Sequence, residues 1–399
     1  MYVTRPRSIY RKFPGTLSIQ TQPEVPYSGH LVVADGDSES MDSFCCGMWR
    51  SDKIKRLPFP SDRILQVVHS SLMHEQATVT NVWFVPVLDR PLSVNRYYIV
   101  KARGRHKGQA YACSREGDEG MCCFNSRQTD TKIRQFDHRD RYQQFEIRPY
   151  PGGGFFARSI EWDGYPPSFL RRDGWEVYIA PSSKLYLRES PGLISNSIPM
   201  EFYCPELSSP LHSKRSTPVV LGRWYCPFVF VKEEKLTTRE QMKESMVYEL
   251  WLERWWEEVH YVQNEDMNSR RTNIVVVDAR VKRLTCSVYG MDGEREGRRD
   301  VDGFVWFKSR EYCAKRVLSV GLSGALLEKM SRMKEKRGWF DGERVVRVCG
   351  DREVGGDVVG WRKFGCYVLV ESFLLKRMDG SLVISFGFRN VEKIECKWE

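Results

Sequence analysis

The chain has 399 residues, with 62 Lys and Arg against 52 Asp and Glu for a formal charge of +10, and 41% of it is hydrophobic. That length suits two domains, and that apolar content with 30 glycines is an ordinary globular value, which excludes a disordered or collagen-like chain. The basic excess is spread over both halves and accompanies no finger, recognition-helix or RRM signature, so nucleic acid is not the expected partner.

No apolar leader follows Met1, so no signal peptide is expected, and no later run has the length of a membrane-spanning segment. The twelve cysteines then read as reduced thiols of the cytosol or nucleus. Residues 1–30, rich in Pro, Ser and Gln, read as an extended arm. Leu31 opens the first strand, and an acidic loop leads to Cys45-Cys46. Strands are expected over 64–68, 79–87 and 95–102. A Gly-containing loop leads to Cys122-Cys123, and a strand follows over 142–147. The order strand, acidic loop, Cys-Cys, Lys-Ile-basic, Phe, strand occurs twice, at Lys53-Ile54 and at Lys132-Ile133, and reads as an internal duplication. Gly152-Gly153-Gly154 and Pro166-Pro167 punctuate the way to Trp175. Residues 182–216 turn to Ser, Pro and Lys without period. The domain boundary is placed there, dividing a β-rich domain, 1–215, from an α+β domain, 216–399.

The second half is organised around residues 222–262, read as a strand over 224–232 followed by a long helix over 238–262. Thr238 and Gln241 have capping-box spacing, and Val247, Trp251, Trp255, Val259 and Val262 form a stripe at helical spacing. Trp224, Trp251 and Trp255 are the expected structural core, since buried tryptophan is far more often packing than a cofactor stack. Pro227 marks a place where the strand lies at an edge or begins. Residues 228–232 resemble 367–371, and 281–286 resemble 391–396, a second pseudo-repeat broken by the long helix. Asp379-Gly380 suits a type I′ hairpin turn, and Leu322, Leu326, Met330 and Met333 mark a second helix within 312–337. The fold class expected is α+β, mainly antiparallel, with pseudo-duplicated halves and a long Trp-rich helix.

Two constellations carry chemistry. Lys101, Arg103, Arg105 and Lys107 alternate, and a strand continuing from Tyr97 would put all four on one face, where with His106 they would grip a phosphate or carboxylate. Charge runs usually just face water, so a solvated strand end competes with that reading. Cys45, Cys46, Cys113, Cys122 and Cys123 invite zinc. Adjacent cysteines lack the C-x₂₋₄-C spacing that gives one ion two sulfurs, so plain packing is favoured and no cofactor is expected. Gly321-Leu322-Ser323-Gly324-Ala325 looks like a nucleophile elbow, but no histidine follows His260. No acid, base and nucleophile set stands out, and an enzymatic role is not favoured.

Several long motifs carry a resemblance: Met1-Tyr2-Val3-Thr4-Arg5-Pro6, Pro86-Val87-Leu88-Asp89, Asn95-Arg96-Tyr97-Tyr98, Tyr142-Gln143-Gln144-Phe145, Gly222-Arg223-Trp224-Tyr225-Cys226-Pro227-Phe228 and Lys376-Arg377-Met378-Asp379-Gly380-Ser381-Leu382. Through them the chain resembles, from first residue to last, a flowering-plant family classified as a domain of unknown function. The resemblance implies an intracellular plant protein and supplies no catalytic residue. Three functions follow from the sequence. The first is a non-catalytic binding protein with a protein partner. The second is a metal-thiolate or redox-sensing protein built on the Cys-Cys loops. The third is an enzyme whose site gathers around 101–107.

Overall fold

The computed structural model describes residues 1–18, 26–41, 43–44, 49–50, 52–71, 74–115, 132–194, 204–207, 211, 213–264, 274–299, 303–310, 317–336, 345–353 and 361–399. Among them the fold is mostly β. The α-helices are short: α1 (Arg7–Lys12), α2 (Gly36–Met41), α3 (Ser168–Arg171), α4 (Thr238–Glu244) and α5 (Gly324–Lys336).

The expected α+β class with a long Trp-rich helix is corrected here. The helix α4 stops at Glu244, and Val247–Gln263 is a single strand of 17 residues. The physical reason lies in the spacing. Val247, Trp251, Trp255 and Val259 recur every four residues, and four is a multiple of the strand period as well as close to a helical turn. The helical stripe is therefore equally one face of a strand. Pairing breaks the tie, because Val247–Gln263 finds ladder partners on both sides, in Val219–Pro227 and Lys363–Arg377. The capping box is real but lies one residue earlier than expected, with Thr237 as N-cap and Glu240 as its reciprocal partner.

Val247–Gln263 lies inside a twelve-stranded sheet. From one edge the strands run Val231–Glu233, Ser319–Ser323, Phe304–Ser309, Met291–Arg299, Leu284–Val288, Leu382–Trp398, Lys363–Arg377, Val247–Gln263, Val219–Pro227, Tyr2–Pro6 and Gly29–Val33, with Gly192–Leu193 added beside Val219–Pro227. Tyr2–Pro6, expected in an arm, is a buried strand between Val219–Pro227 and Gly29–Val33. The sequence boundary at 215 is thus crossed by a sheet that takes strands from both halves. Pro227, expected at an edge or a strand start within 224–232, instead ends the interior strand Val219–Pro227, because it has no N–H to carry the ladder on, and a 3₁₀ turn, Phe228–Phe230, follows.

A second sheet of nine strands centres on Arg63–Ser71, His74–Pro86 and Arg96–Lys101. Its central stretches, 82–85 and 97–100, are apolar on both faces, and each face has its own core. Val82, Phe84, Tyr97 and Ile99 pack with Phe59, Phe145 and Trp175. Trp83, Val85, Tyr98 and Val100 point the other way and join Tyr2, Trp224, Phe228 and Phe230. The stacking of Trp83 on Phe228, with centroids 6.2 Å apart, and the bond of Tyr2 Oη to the Pro86 carbonyl at 2.6 Å tie the two sheets into one core.

The pseudo-repeat of the second half does not survive. Residues 228–232 form a 3₁₀ turn and part of an edge strand, whereas 367–371 lie in the middle of Lys363–Arg377. Residues 281–286 are broken between two strands, whereas 391–396 run inside one. In the first half, Lys53–Ile54 and Lys132–Arg134 sit at opposite edges of the nine-stranded sheet, and both Cys-Cys loops lie outside the described residues. Short apolar runs match one another because strands share composition. The Asp379-Gly380 turn is a three-residue loop, closed by Gly380 N donating to the Arg377 carbonyl at 2.9 Å. Only Gly380 has positive φ, +87°, as a G1-bulge loop requires and a type I′ turn does not. The second helix forms as α5, burying Leu326, Met330 and Met333.

Three strands of 15 to 17 residues, Val247–Gln263, Lys363–Arg377 and Leu382–Trp398, run side by side through the large sheet. A buried ion pair bridges the first two: Arg254 and Glu371 are direct cross-strand partners, with Nη2 to Oε2 at 2.9 Å. Removing one partner takes the cross-strand counter-charge from a group that stays buried. Glu371→Ala is expected to lower the unfolding free energy by about 3–5 kcal/mol in urea titration, whereas Glu399→Ala, which breaks the exposed pair with Lys363, should change it by less than about 1 kcal/mol.

Candidate functional site

The strand Arg96–Lys101 ends where the charge run begins. Gly108 N donates to the Lys101 carbonyl at 2.8 Å and Lys101 N to the Gln109 carbonyl at 2.9 Å, closing residues 102–108 into a loop. Gly104, His106 and Gly108 all take positive φ. The alternating positions therefore do not share a strand face. Arg105 and His106 are exposed, and the His106 ring is paired with Gln109 Oε1 through Nδ1 at 2.9 Å. Lys101 remains on the strand. Arg103 and Lys107 point into a cleft of about 600 Å³.

The opposite wall is α4. Its Arg239 and Lys243 lie one turn apart on a single face and line the cleft with Thr237 and Glu240. Gly108 permits this meeting: a Cβ there would come within 2.8 Å of Thr238 Cγ2 and 2.9 Å of the Thr238 carbonyl oxygen. The buried side of α4 is fixed by polar contacts. Gln241 Nε2 donates to the Val231 carbonyl and to Tyr248 Oη, both at 2.8 Å. Tyr248 Oη in turn donates to Glu233 Oε1 at 2.7 Å. The buried Glu233 carboxylate also accepts from Tyr289 Oη at 2.7 Å, from Arg377 Nε at 3.1 Å and from Arg377 Nη2. Beside this charge, burial together with Glu233 holds the Tyr248 and Tyr289 phenols far above their ordinary pKa.

The cleft is strongly positive. Arg103, Lys107, Arg239 and Lys243 face one carboxylate, Glu240, which the cap already engages: it accepts from Thr237 N at 2.8 Å and from Thr237 Oγ1 at 2.7 Å. None of the four cations forms an ion pair among the described residues. Burial, then the nearby charges of Arg239, Lys243 and Arg103, holds the Lys107 ammonium below its ordinary pKa. Like charges at i and i+4 on a helix are mildly destabilising, so the fold gains nothing from this arrangement.

The other sequence candidates lie elsewhere. Cys45, Cys46, Cys122 and Cys123 lie outside the described residues. Cys113 is buried in the smaller sheet's core, where burial pushes its thiol up to about 11. Among the described residues no cluster of three His, Cys, Asp or Glu is placed to hold a metal. Trp224 is fully buried, and Trp255, on Val247–Gln263, packs half-buried in the apolar cluster of Val277, Cys366 and Val368. Trp251 is half-exposed between Arg223 and Lys376, which lie 4.2 and 4.1 Å from its ring centroid. The sequence reading missed Arg239 and Lys243. Their signal was a like-charged pair at helical spacing behind a capping box, hidden by extending the helix to 262.

A family model described as "Protein of unknown function (DUF1262)" matches residues 24–124, the segment that supplies Arg103 and Lys107 but not α4. A comparison with curated proteins finds no match. Among solved structures the chain is similar to the crystal structure of Cry35Ab1, at 9% identity and a TM-score of 0.43, covering 85% of this chain and 90% of that one. A likeness of that size is too weak to carry chemistry across. No helix among the described residues is long and apolar enough to cross a membrane.

The close approach at Gly108 can be tested. In Gly108→Ala the new Cβ and the φ of +88° act together. The loop is expected to shift away from Thr238 at a cost of about 1–3 kcal/mol in denaturant unfolding, with faster amide exchange over residues 104–109.

Proposed function

We propose that the protein is a non-catalytic binding protein whose cleft between residues 102–107 and α4 takes a compact polyanion, a small molecule carrying two or more phosphates. The observation that carries this is the convergence of Arg103, Lys107, Arg239 and Lys243, from segments more than a hundred residues apart, without a carboxylate free to neutralise them. Cations gathered at the expense of stability are expected where a ligand supplies the missing charge. The volume suits a small molecule rather than a duplex or a protein surface. Its lining offers charge and hydrogen-bond donors, while Thr237 and Glu240, its hydroxyl and its carboxylate, are held in the cap. Such a set binds and orients phosphates and moves no proton. The plant origin, the full-length family membership and the cytosolic or nuclear setting that the sequence suggests belong to the same proposal. A protein partner would then read the liganded state.

Tripolyphosphate is a suitable probe. Isothermal titration should show binding that weakens steeply with added salt, because each phosphate contact replaces a screened ion. Arg103→Ala and Lys243→Ala should each weaken it roughly tenfold or more, the loss of one charge-assisted hydrogen bond. Since each substitution also relieves repulsion, the melting temperature of the free protein should hold or rise. Equal affinity in the wild type and the double variant would overturn the proposal.

A further inference from the structure

Away from the cleft, two thiols face each other across the large sheet. Cys366 and Cys396 are direct partners in the antiparallel pair Lys363–Arg377 and Leu382–Trp398. The ladder fixes which kind of pair they form. Lys363 and Glu399 exchange both backbone bonds, each at 2.9 Å, so they are a hydrogen-bonded pair. The register runs unbroken to Phe364↔Trp398, Gly365↔Lys397 and Cys366↔Cys396, and alternation makes the cysteines a non-hydrogen-bonded pair. Residues so placed have Cα atoms about 4.5 Å apart with their side chains close together, within the roughly 4.4–6.8 Å that a disulfide spans.

The surroundings favour reaction at one sulfur. Cys366 is buried, while Cys396 is partly open to solvent. Above them lies the ribbon of Ile274–Lys282 and Val345–Glu353, whose inward Val275, Val277 and Val348 share an apolar cluster with Cys366, Cys396 and Trp398. From that ribbon comes Arg352, with its buried Nε lacking a hydrogen-bond partner among the described residues. The neighbouring Cys366 thiol, and then the Arg352 charge, lower the pKa of the Cys396 thiol, while Cys396 and burial raise that of Cys366. His260, opposite Cys366 on the third strand, also has a buried and unpartnered Nε2.

We propose that Cys366 and Cys396 are a modification site at which a hydroperoxide closes a cross-strand disulfide. The Cys396 thiolate attacks the O–O bond of hydrogen peroxide, forming Cys396–SOH and releasing hydroxide, which takes up the proton the thiol had lost. Cys366 Sγ then attacks the sulfenic sulfur, and the expelled hydroxide leaves as water with the Cys366 proton. Two thiols are oxidised, one peroxide is reduced and two waters form. The bond locks two of the three long strands to each other, and a dithiol reductant reopens it.

The test is peptide mapping of the full chain after hydrogen peroxide, with free thiols alkylated before digestion. Trypsin should release residues 364–376 joined to residues 394–397, with the loss of two hydrogens, and dithiothreitol should separate them. In Cys366→Ser the resolving sulfur is gone, so Cys396 should stop at the sulfenic acid and be labelled by a 1,3-diketone. Recovery of the two peptides only as separate alkylated or sulfinic species, at peroxide that oxidises the exposed Cys349, would overturn the proposal. So would a folded Cys366→Ser chain in which Cys396 takes no label.

Discussion

The buried carboxylate of Glu233 is the contact on which the candidate site depends. It sits at the edge of the large sheet and accepts hydrogen bonds from Tyr248 on one long strand, from Arg377 at the end of another, and from Tyr289 in the turn between Leu284–Val288 and Met291–Arg299. A buried carboxylate is tolerable only when every lone pair is matched. Here the matching groups come from three chain segments spread over more than a hundred residues, so the charge fixes where those segments end relative to one another. Gln241 extends the network into α4. The cleft wall is thereby anchored to the sheet, although a seven-residue helix has little stability of its own.

The two sheets behave as one body for a related reason. The central stretches of the smaller sheet, 82–85 and 97–100, are apolar on both sides, and each would leave a face wet if the sheet stood alone. The Trp83 face is covered by Phe228 and Phe230 from the turn that follows Pro227. That turn leads within a few residues to Glu233 and α4, so the packing that joins the sheets also brings α4 against the loop at Gly108. Glycine at that position converts proximity into contact.

The cleft and the thiol pair lie at different places along the large sheet and use different physics. The cleft concentrates unpaired positive charge in partial contact with water, where an anion is the missing component. The thiol pair relies on cross-strand register, which places two sulfurs together as strictly as it places Arg254 against Glu371. The sequence directed the search for sulfur chemistry to the Cys-Cys loops, because adjacent residues are visible there. Cys366 and Cys396 are 30 residues apart along the chain, and only the hairpin at Gly380 makes them neighbours.

What the sequence determined by itself is local. It fixed the apolar strands of the first half, the capping signal before α4, the buried stripe of α5 and the basic run from Lys101 to Lys107, because each follows from residue type and short-range spacing. It did not decide between helix and strand over 247–263, since a four-residue spacing satisfies both periods and the choice falls to the neighbouring strands that pair with it. Nor did it show that Tyr2–Pro6 completes a sheet formed mainly by residues beyond 219, or that α4 supplies the second wall of the cleft. Those outcomes depend on which distant groups can share buried hydrogen bonds and apolar surface, and only the tertiary structure decided them.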